Sequence, residues 1–345
     1  MKRHADQPIL TDLGPTCRDR HSDAYAREFG CDHDRLCDSS CFLRETRVDY
    51  EFRLDASNGL HLPDFEQVVP VPYIPPVVFD ASLTSPKTLF LAEREVVVPV
   101  AYDRIGPLMK ANPVAASAWR TTKGVPEDAT LLVGSELSDP RLATLFRASL
   151  KPDFYAACVA LRNAVFTSHA FSVYTDGSQC RGWQVYNLAR SYRSAWHLNR
   201  FGLPVIVAIG ADHPRDEERI AEHATRQGGK LTHFAVNSQT LWPRGHRDNF
   251  LFAKRIERMA GRTFHWLFYG VVDEASELEA YETMGRIEGI SFVSSKPVMR
   301  GLNGRGLTSQ ATLPLTLVEC VKSNIETAKT YQRRAEREFR KRRAA

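Results

Sequence analysis

From about residue 95 onward the chain repeats one pattern. A short run of β-branched or aromatic residues is followed by apolar residues spaced three and four apart. The runs are Val96–Tyr102, Thr130–Gly134, Ala170–Tyr174, Leu203–Ile209, Leu231–Val236, His265–Tyr269 and Gly289–Val293. Between them, Trp183–Arg200 carries Val185, Leu188, Tyr192 and Ala195/Trp196 at helical spacing, and Phe201-Gly202 supplies a stop. Pro214 opens a second helix, Arg215–Arg226, which Gly228-Gly229 closes. Phe250–Met259 and Ala275–Met284 read as two more. Strands joined by helices of this length predict a parallel sheet, because a parallel pair needs a long crossover. Seven strands fit a complete or incomplete β/α (TIM-like) barrel, or a doubly wound open sheet. No G-x-G-x-x-G follows the first strand and no G-x-x-x-x-G-K-[ST] occurs, so dinucleotide and P-loop folds lose their main support. The expectation is an α/β fold, a β/α barrel over residues 95–314.

The flanks differ in texture. Residues 1–60 are polar and cysteine-rich, and residues 61–94 contain Pro63, Pro70, Pro72, Pro75, Pro76 and Pro86. Proline fixes φ and disfavours helix in the residue before it, so 61–94 reads as an extended connector between leader and core. At the other end, Leu315 to about Arg343 reads as one helix, with Val318, Val321, Ile325, Ala328, Ala335 and Phe339 on its apolar face. Its first half is expected to dock on the core and its second half to carry charge. The formal net charge of the whole chain is +5, but Lys329–Ala345 alone holds eight Lys/Arg and two Glu. The remaining body is therefore close to neutral. That excludes a uniformly basic nucleic-acid coat and leaves the terminal helix as the candidate nucleic-acid contact.

Four of seven cysteines are bunched: Cys17, Cys31, Cys37 and Cys41. In a reducing compartment such a bunch suits a metal, and thiolate favours zinc or an iron–sulfur cluster. The spacing lacks the paired knuckles of common structural zinc sites, and His21 or His33 could replace a sulfur. Cys158, Cys180 and Cys320 read as buried thiols. The N-terminus has no apolar h-region, and no apolar run approaches the length of a membrane span. A cytoplasmic protein without membrane contact is expected.

In parallel α/β folds the site lies at the carboxyl ends of the strands. Here those ends are Tyr102-Asp103, Ser135-Glu136, Thr175-Asp176, Ala211-Asp212, Asn237-Ser238-Gln239, Gly270 and Ser294-Ser295-Lys296. Asp176 is the candidate general base or nucleophile. On the helix that follows, Asn187 and Arg190 share one face and Arg193 lies a turn on, so Arg190 or Arg193 could clamp a phosphate or carboxylate through two parallel hydrogen bonds. Arg300, Gly304 and Arg305 belong to a glycine-rich loop after the last strand, where β/α barrels often hold phosphate. Gln239 and Lys296 complete the expected substrate-binding set. No H-E-x-x-H or G-x-S-x-G is present, so zincin and serine-hydrolase chemistry lack their signatures.

The segment Tyr174-Thr175-Asp176, Gln184, Tyr186-Asn187, Arg190, Arg193, Gly202 and Val205-Ile206 resembles a bacterial and phage domain family of unknown function over about 40 residues. That resemblance implies association with phages and mobile elements rather than a reaction. Thr175-Asp176-Gly177-Ser178, with His265–Gly270 and Ser291–Ser295, is similar to the tRNA- and DNA-guanine transglycosylase barrels. It implies nucleic acid as substrate and Asp176 as the reacting carboxylate. The clustered C-terminal zinc cysteines of those barrels and a second catalytic aspartate are absent from this sequence.

Two functions follow as expectations. One is a barrel enzyme acting on a phosphate-bearing substrate, nucleic acid or nucleotide, with Asp176, Asn187 and Arg190 at its centre. The other is a non-catalytic nucleic-acid-binding accessory protein that uses the basic tail.

Overall fold

The computed structural model describes residues 62–79, 97–134, 137, 139–171, 181–211, 213–237, 246–308 and 312–345, and the short antiparallel pair Leu54–Asp55/Gly59–Leu60. Eight parallel strands form a nearly closed barrel. They are β1 (Val77–Phe79), β2 (Val97–Ala101), β3 (Thr130–Gly134), β4 (Ala164–Thr167), β5 (Val205–Ala208), β6 (His233–Asn237), β7 (His265–Tyr269) and β8 (Ile290–Ser294). Around the barrel the order is β1-β8-β7-β6-β5-β4-β3-β2. The helices outside are α1 (Pro113–Lys123), α2 (Asp139–Ser149), α3 (Asp153–Ala160), α4 (Arg181–Arg200), α5 (Pro214–Gln227), α6 (Arg247–Ala260), α7 (Glu274–Met284), α8 (Lys296–Leu302) and α9 (Leu317–Ala344).

The apolar runs become strands because both of their faces are covered. Val78, Val97, Leu132, Val165, Ile206, Ala235, Leu267 and Val293 fill the barrel interior. Their neighbours in sequence, such as Val98, Leu131, Phe166, Val207, Phe234 and Phe292, pack outward under the helices. This two-sided burial explains the near-continuous apolar composition of the runs. One sequence expectation needs correcting. The strand placed at Ala170–Tyr174 lies earlier, at Ala164–Thr167, and Ala170 and Phe171 follow it as irregular chain. The Asn163 side chain fixes the entry to β4. Its amide donates to the carbonyls of Glu127, Asp128 and Ala129, which pins the turn against the approach to β3.

Residues 62–76 run extended, as their prolines predict, and they form the barrel floor. The Asn199 side chain accepts from the backbone N–H of Glu66 and Gln67 and donates to the Gln67 carbonyl. Gln227 Oε1 accepts from Phe65 N at 2.7 Å, and a ring nitrogen of His223 meets Pro63 O at 2.9 Å. The arm therefore crosses beneath the C-terminal ends of α4 and α5. Ile74 then plugs the interior from below, and Pro76 O accepts from Phe292 N as the chain enters β1. Just above this floor, His233 and His265 stack at 4.7 Å, and His265 Nε2 lies 2.8 Å from Ser291 Oγ.

The terminal helix also departs from expectation. A capping box at Thr316 and Glu319 starts α9. Val321, Ile325, Ala328, Gln332, Ala335 and Phe339 are buried along its whole length, so the second half docks as fully as the first. Gly301 in α8 allows the closest approach: a Cβ there would sit 2.5 Å from Val321 Cα. From Arg334 beside Glu274 to Arg343 beside Gly285, α9 runs alongside α7 toward the barrel floor.

Candidate functional site at the carboxyl ends of β2 and β4

Because β4 begins six residues earlier than expected, Thr167, Ser168 and His169 occupy its carboxyl end. The segment carrying Asp176 becomes the connection from Phe171 to α4. Asp176 and Gln239 lie outside the described residues, as do Cys17, Cys31, Cys37 and Cys41. Among the described residues no group of three His, Cys, Asp or Glu side chains could hold a metal ion. Cys158 and Cys320 are free, buried thiols, and burial pushes the Cys158 thiol up.

The inner face of α4 is buried rather than solvated. Ser168 Oγ and Ser191 Oγ lie 3.1 Å apart, Ser191 Oγ donates to His169 O at 2.7 Å, and Ser194 Oγ accepts from His169 N at 2.8 Å. Ala208 N donates to Ser168 Oγ at 2.8 Å. These short hydroxyls satisfy the backbone groups exposed where β4 stops, and they lock α4 to the ends of β4 and β5.

Above this lock sits an aromatic cluster. His169 is 1% exposed, and Tyr102, Phe146, Phe154 and Phe171 meet its ring edge-on. Tyr102 donates its hydroxyl to Thr167 O at 3.0 Å and ties the end of β2 to that of β4. The Arg190 guanidinium lies 3.7 Å from the Phe171 ring centroid and 5.7 Å from that of Phe146. It also donates to Asn187 Oδ1, and Asn187 is itself buried. Burial, then the Arg190 charge and then His197, hold His169 at a pKa of about 3, so its ring is neutral across the physiological range. Its Nδ1 has no hydrogen-bond partner among the described residues. The sector thus presents one partly exposed cation, held by an aromatic face and an amide, beside a neutral buried imidazole. Such a guanidinium is held in place rather than free to sweep solvent.

The other expected residues lie elsewhere. Arg193 turns toward His197, at 3.4 Å, on the α3 side of α4. Lys296, Arg300, Gly304 and Arg305 follow β8, which is four strand places from β4 and so across the barrel. Met299–Leu302 belong to α8, and the amides of Asn303, Gly304 and Arg305 donate to the carbonyls of Arg300, Gly301 and Arg300. Arg300 Nε donates to Gly306 O at 2.7 Å. The amides of Asn303, Gly304 and Arg305 are therefore satisfied internally. Asp103, at the end of β2, pairs with Arg141 at 2.9 Å.

In the sequence reading Tyr102 stands at a strand end and Phe171 within a strand, neither has a role, and His169 falls outside the site. The available signal was the run Ala164-Val165-Phe166-Thr167 directly after an Asn, which is shorter and less β-branched than its neighbours. Neither a family model nor a curated protein matches this chain.

Proposed function

We propose that the chain is a barrel enzyme acting on a phosphate-bearing substrate, a nucleotide or a nucleic acid, at the carboxyl ends of the strands. The observation that carries this reading is the Arg190 guanidinium, stacked on Phe171 and held by Asn187, at the base of the connection that bears Asp176. Arg190 binds the phosphate through its fork of N–H donors. Asn187 holds the fork in register, and neutral His169 keeps Phe171 and Arg190 packed without adding a competing charge. Asp176 supplies the carboxylate for acid–base or nucleophilic work, the role that carboxylates at strand ends take in many barrels.

The test uses purified full-length protein, a panel of nucleotides and short oligonucleotides, and calorimetry beside product analysis. Arg190→Ala is expected to abolish binding. Asp176→Asn is expected to bind as wild type and turn nothing over. Wild-type binding by Arg190→Ala, or wild-type turnover by Asp176→Asn, would remove the reading.

A further inference from the structure

The basic helix α9 and the candidate site lie at different places on the barrel. The second half of α9 runs down the outside toward the floor, ending where Arg342 meets Glu282 at 2.7 Å and Arg343 donates to Gly285 O at 3.2 Å. The candidate site sits at the opposite, carboxyl end of the strands, on the far side of the sheet order.

Along this half the cations divide into two sets. Arg334 pairs with Glu274 at 3.8 Å, and Arg342 pairs with Glu282 and with Glu338 at 2.9 Å. Arg333, Arg337, Arg340 and Lys341 are exposed and make no ion pair with a carboxylate among the described residues. Arg333, Arg337 and Lys341 recur every four residues, and so form a stripe about 12 Å long at 1.5 Å per residue. An open groove of about 720 Å³ lies beside it; Arg337 and Lys341 are the unpaired cations in its lining, next to the paired Arg334 and Arg342 and the carboxylates Glu274 and Glu338. Burial of Gln332, Ala335 and Phe339 keeps the stripe straight and fixed to the body.

We infer that this α7–α9 groove binds the phosphodiester backbone of a nucleic acid. Three observations favour that occupant. The cations are mostly arginines, whose planar fork matches phosphate oxygens. The stripe's length spans about four phosphates of one duplex strand at about 3.4 Å each, so its three cations can meet successive phosphates. The apolar face of α9 is used up in docking, and no large apolar side chain is exposed from Leu317 to Ala344, so the helix has nothing to insert into a bilayer. The inference narrows the proposed phosphate-bearing substrate to a polymer, with a backbone contact on the outside of the barrel, three strand places from β4.

The experiment measures fluorescence anisotropy of a labelled DNA duplex and of its single strand, with full-length protein over a salt series. Wild type is expected to bind with a log–log salt slope of about −3, the value for three phosphate contacts on a duplex. Arg337→Ala/Lys341→Ala is expected to weaken binding at least tenfold and to flatten the slope by about 2. Arg334→Ala, which removes a cation already paired, is expected to change both far less. Unchanged affinity and slope in the double variant would overturn the inference. So would equal, equally mutation-sensitive binding to vesicles rich in phosphatidylserine or to polyglutamate, since either would assign the groove to another anion. Failure here with loss of turnover in Asp176→Asn would leave the reading of the barrel site standing.

Discussion

The Arg190 guanidinium lies 3.7 Å from the centre of the Phe171 ring, one residue from α4's contact with the end of β4. Phe171 is the last described residue before the connection that carries Asp176, and Arg190 lies in the middle of α4, the helix that follows it. Their contact sets where the cation points.

The first prediction concerns this pair. Arg190→Lys keeps the charge but loses the planar fork and its stacking, so it should bind phosphate ligands at least tenfold more weakly than wild type while melting almost normally. Phe171→Leu should keep the fold and lower stability by about 0.5–2 kcal/mol, the range for a cation–π contact that is partly desolvated. Calorimetric titration with thermal melts of both variants checks this. Tight phosphate binding by the lysine variant would show that the fork is not used.

The second concerns Glu277, which is fully buried between α7 and α9 with neither carboxyl oxygen hydrogen-bonded. Burial, then Asp273, Glu274 and Glu336, raise its pKa to about 9. The folded value lies above the unfolded one, so between about pH 4.5 and 9 the native state holds the proton that the unfolded state has lost. Stability from this group is full in acid and falls as pH rises through that window. Glu277→Gln, which is neutral at every pH, should therefore gain about 2–3 kcal/mol over wild type near pH 7. Urea unfolding from pH 5 to 9 is the measurement. Parallel pH profiles for the two proteins would refute it.

The third concerns the acid limb. Burial, followed by neighbouring positive charge, holds His169 at about 3 and His197 and His265 at about 4, while burial and then His265 hold His233 at about 3. These folded values lie below the unfolded one, so stability is full above about pH 6.5 and is lost as pH falls toward 4. In histidine-detected NMR, these four rings should stay neutral down to about pH 4.5. His169→Phe should shallow the acid limb. An imidazole of His169 that charges near pH 6 would show the aromatic cluster to be open to water.

The fourth concerns the floor. Asn199 is 1% exposed and makes three hydrogen bonds to Glu66 and Gln67. Asn199→Ala leaves three backbone groups of the arm without partners, at a cost of about 1–3 kcal/mol for each that stays buried. Limited proteolysis should cut between 62 and 76 faster in the variant, with the barrel fragment remaining intact. Equal cutting rates would mean that the prolines and Ile74 alone hold the arm.

Much of this architecture is readable in the chain. Thr130–Gly134 and His265–Tyr269 match their strands residue for residue, and the helix at Pro214 matches to within one residue at its end. Such elements announce themselves because local spacing and burial agree. Three features were decided elsewhere. Val77–Phe79 is a strand only because β8 offers an unpaired edge and the floor guides the chain there. Ala164–Thr167 is placed as a strand by Asn163, which anchors its start, and by Tyr102 and Ser191, which hold its end. The polar face of α4 gives no sign in sequence that it points inward, since serine and asparagine suit solvent as well as buried backbone groups.

The sequence by itself determined the class of fold and the concentration of charge at the end of α9. Both depend on residue type and spacing along one segment, which neighbours cannot change. Tertiary structure decided which residues stand at the carboxyl end of β4, that the proline-rich arm is the barrel floor, and that the basic helix is docked along its whole length. Each of these depends on pairing between distant segments, where one hydrogen bond or one ring contact selects among runs of similar local preference.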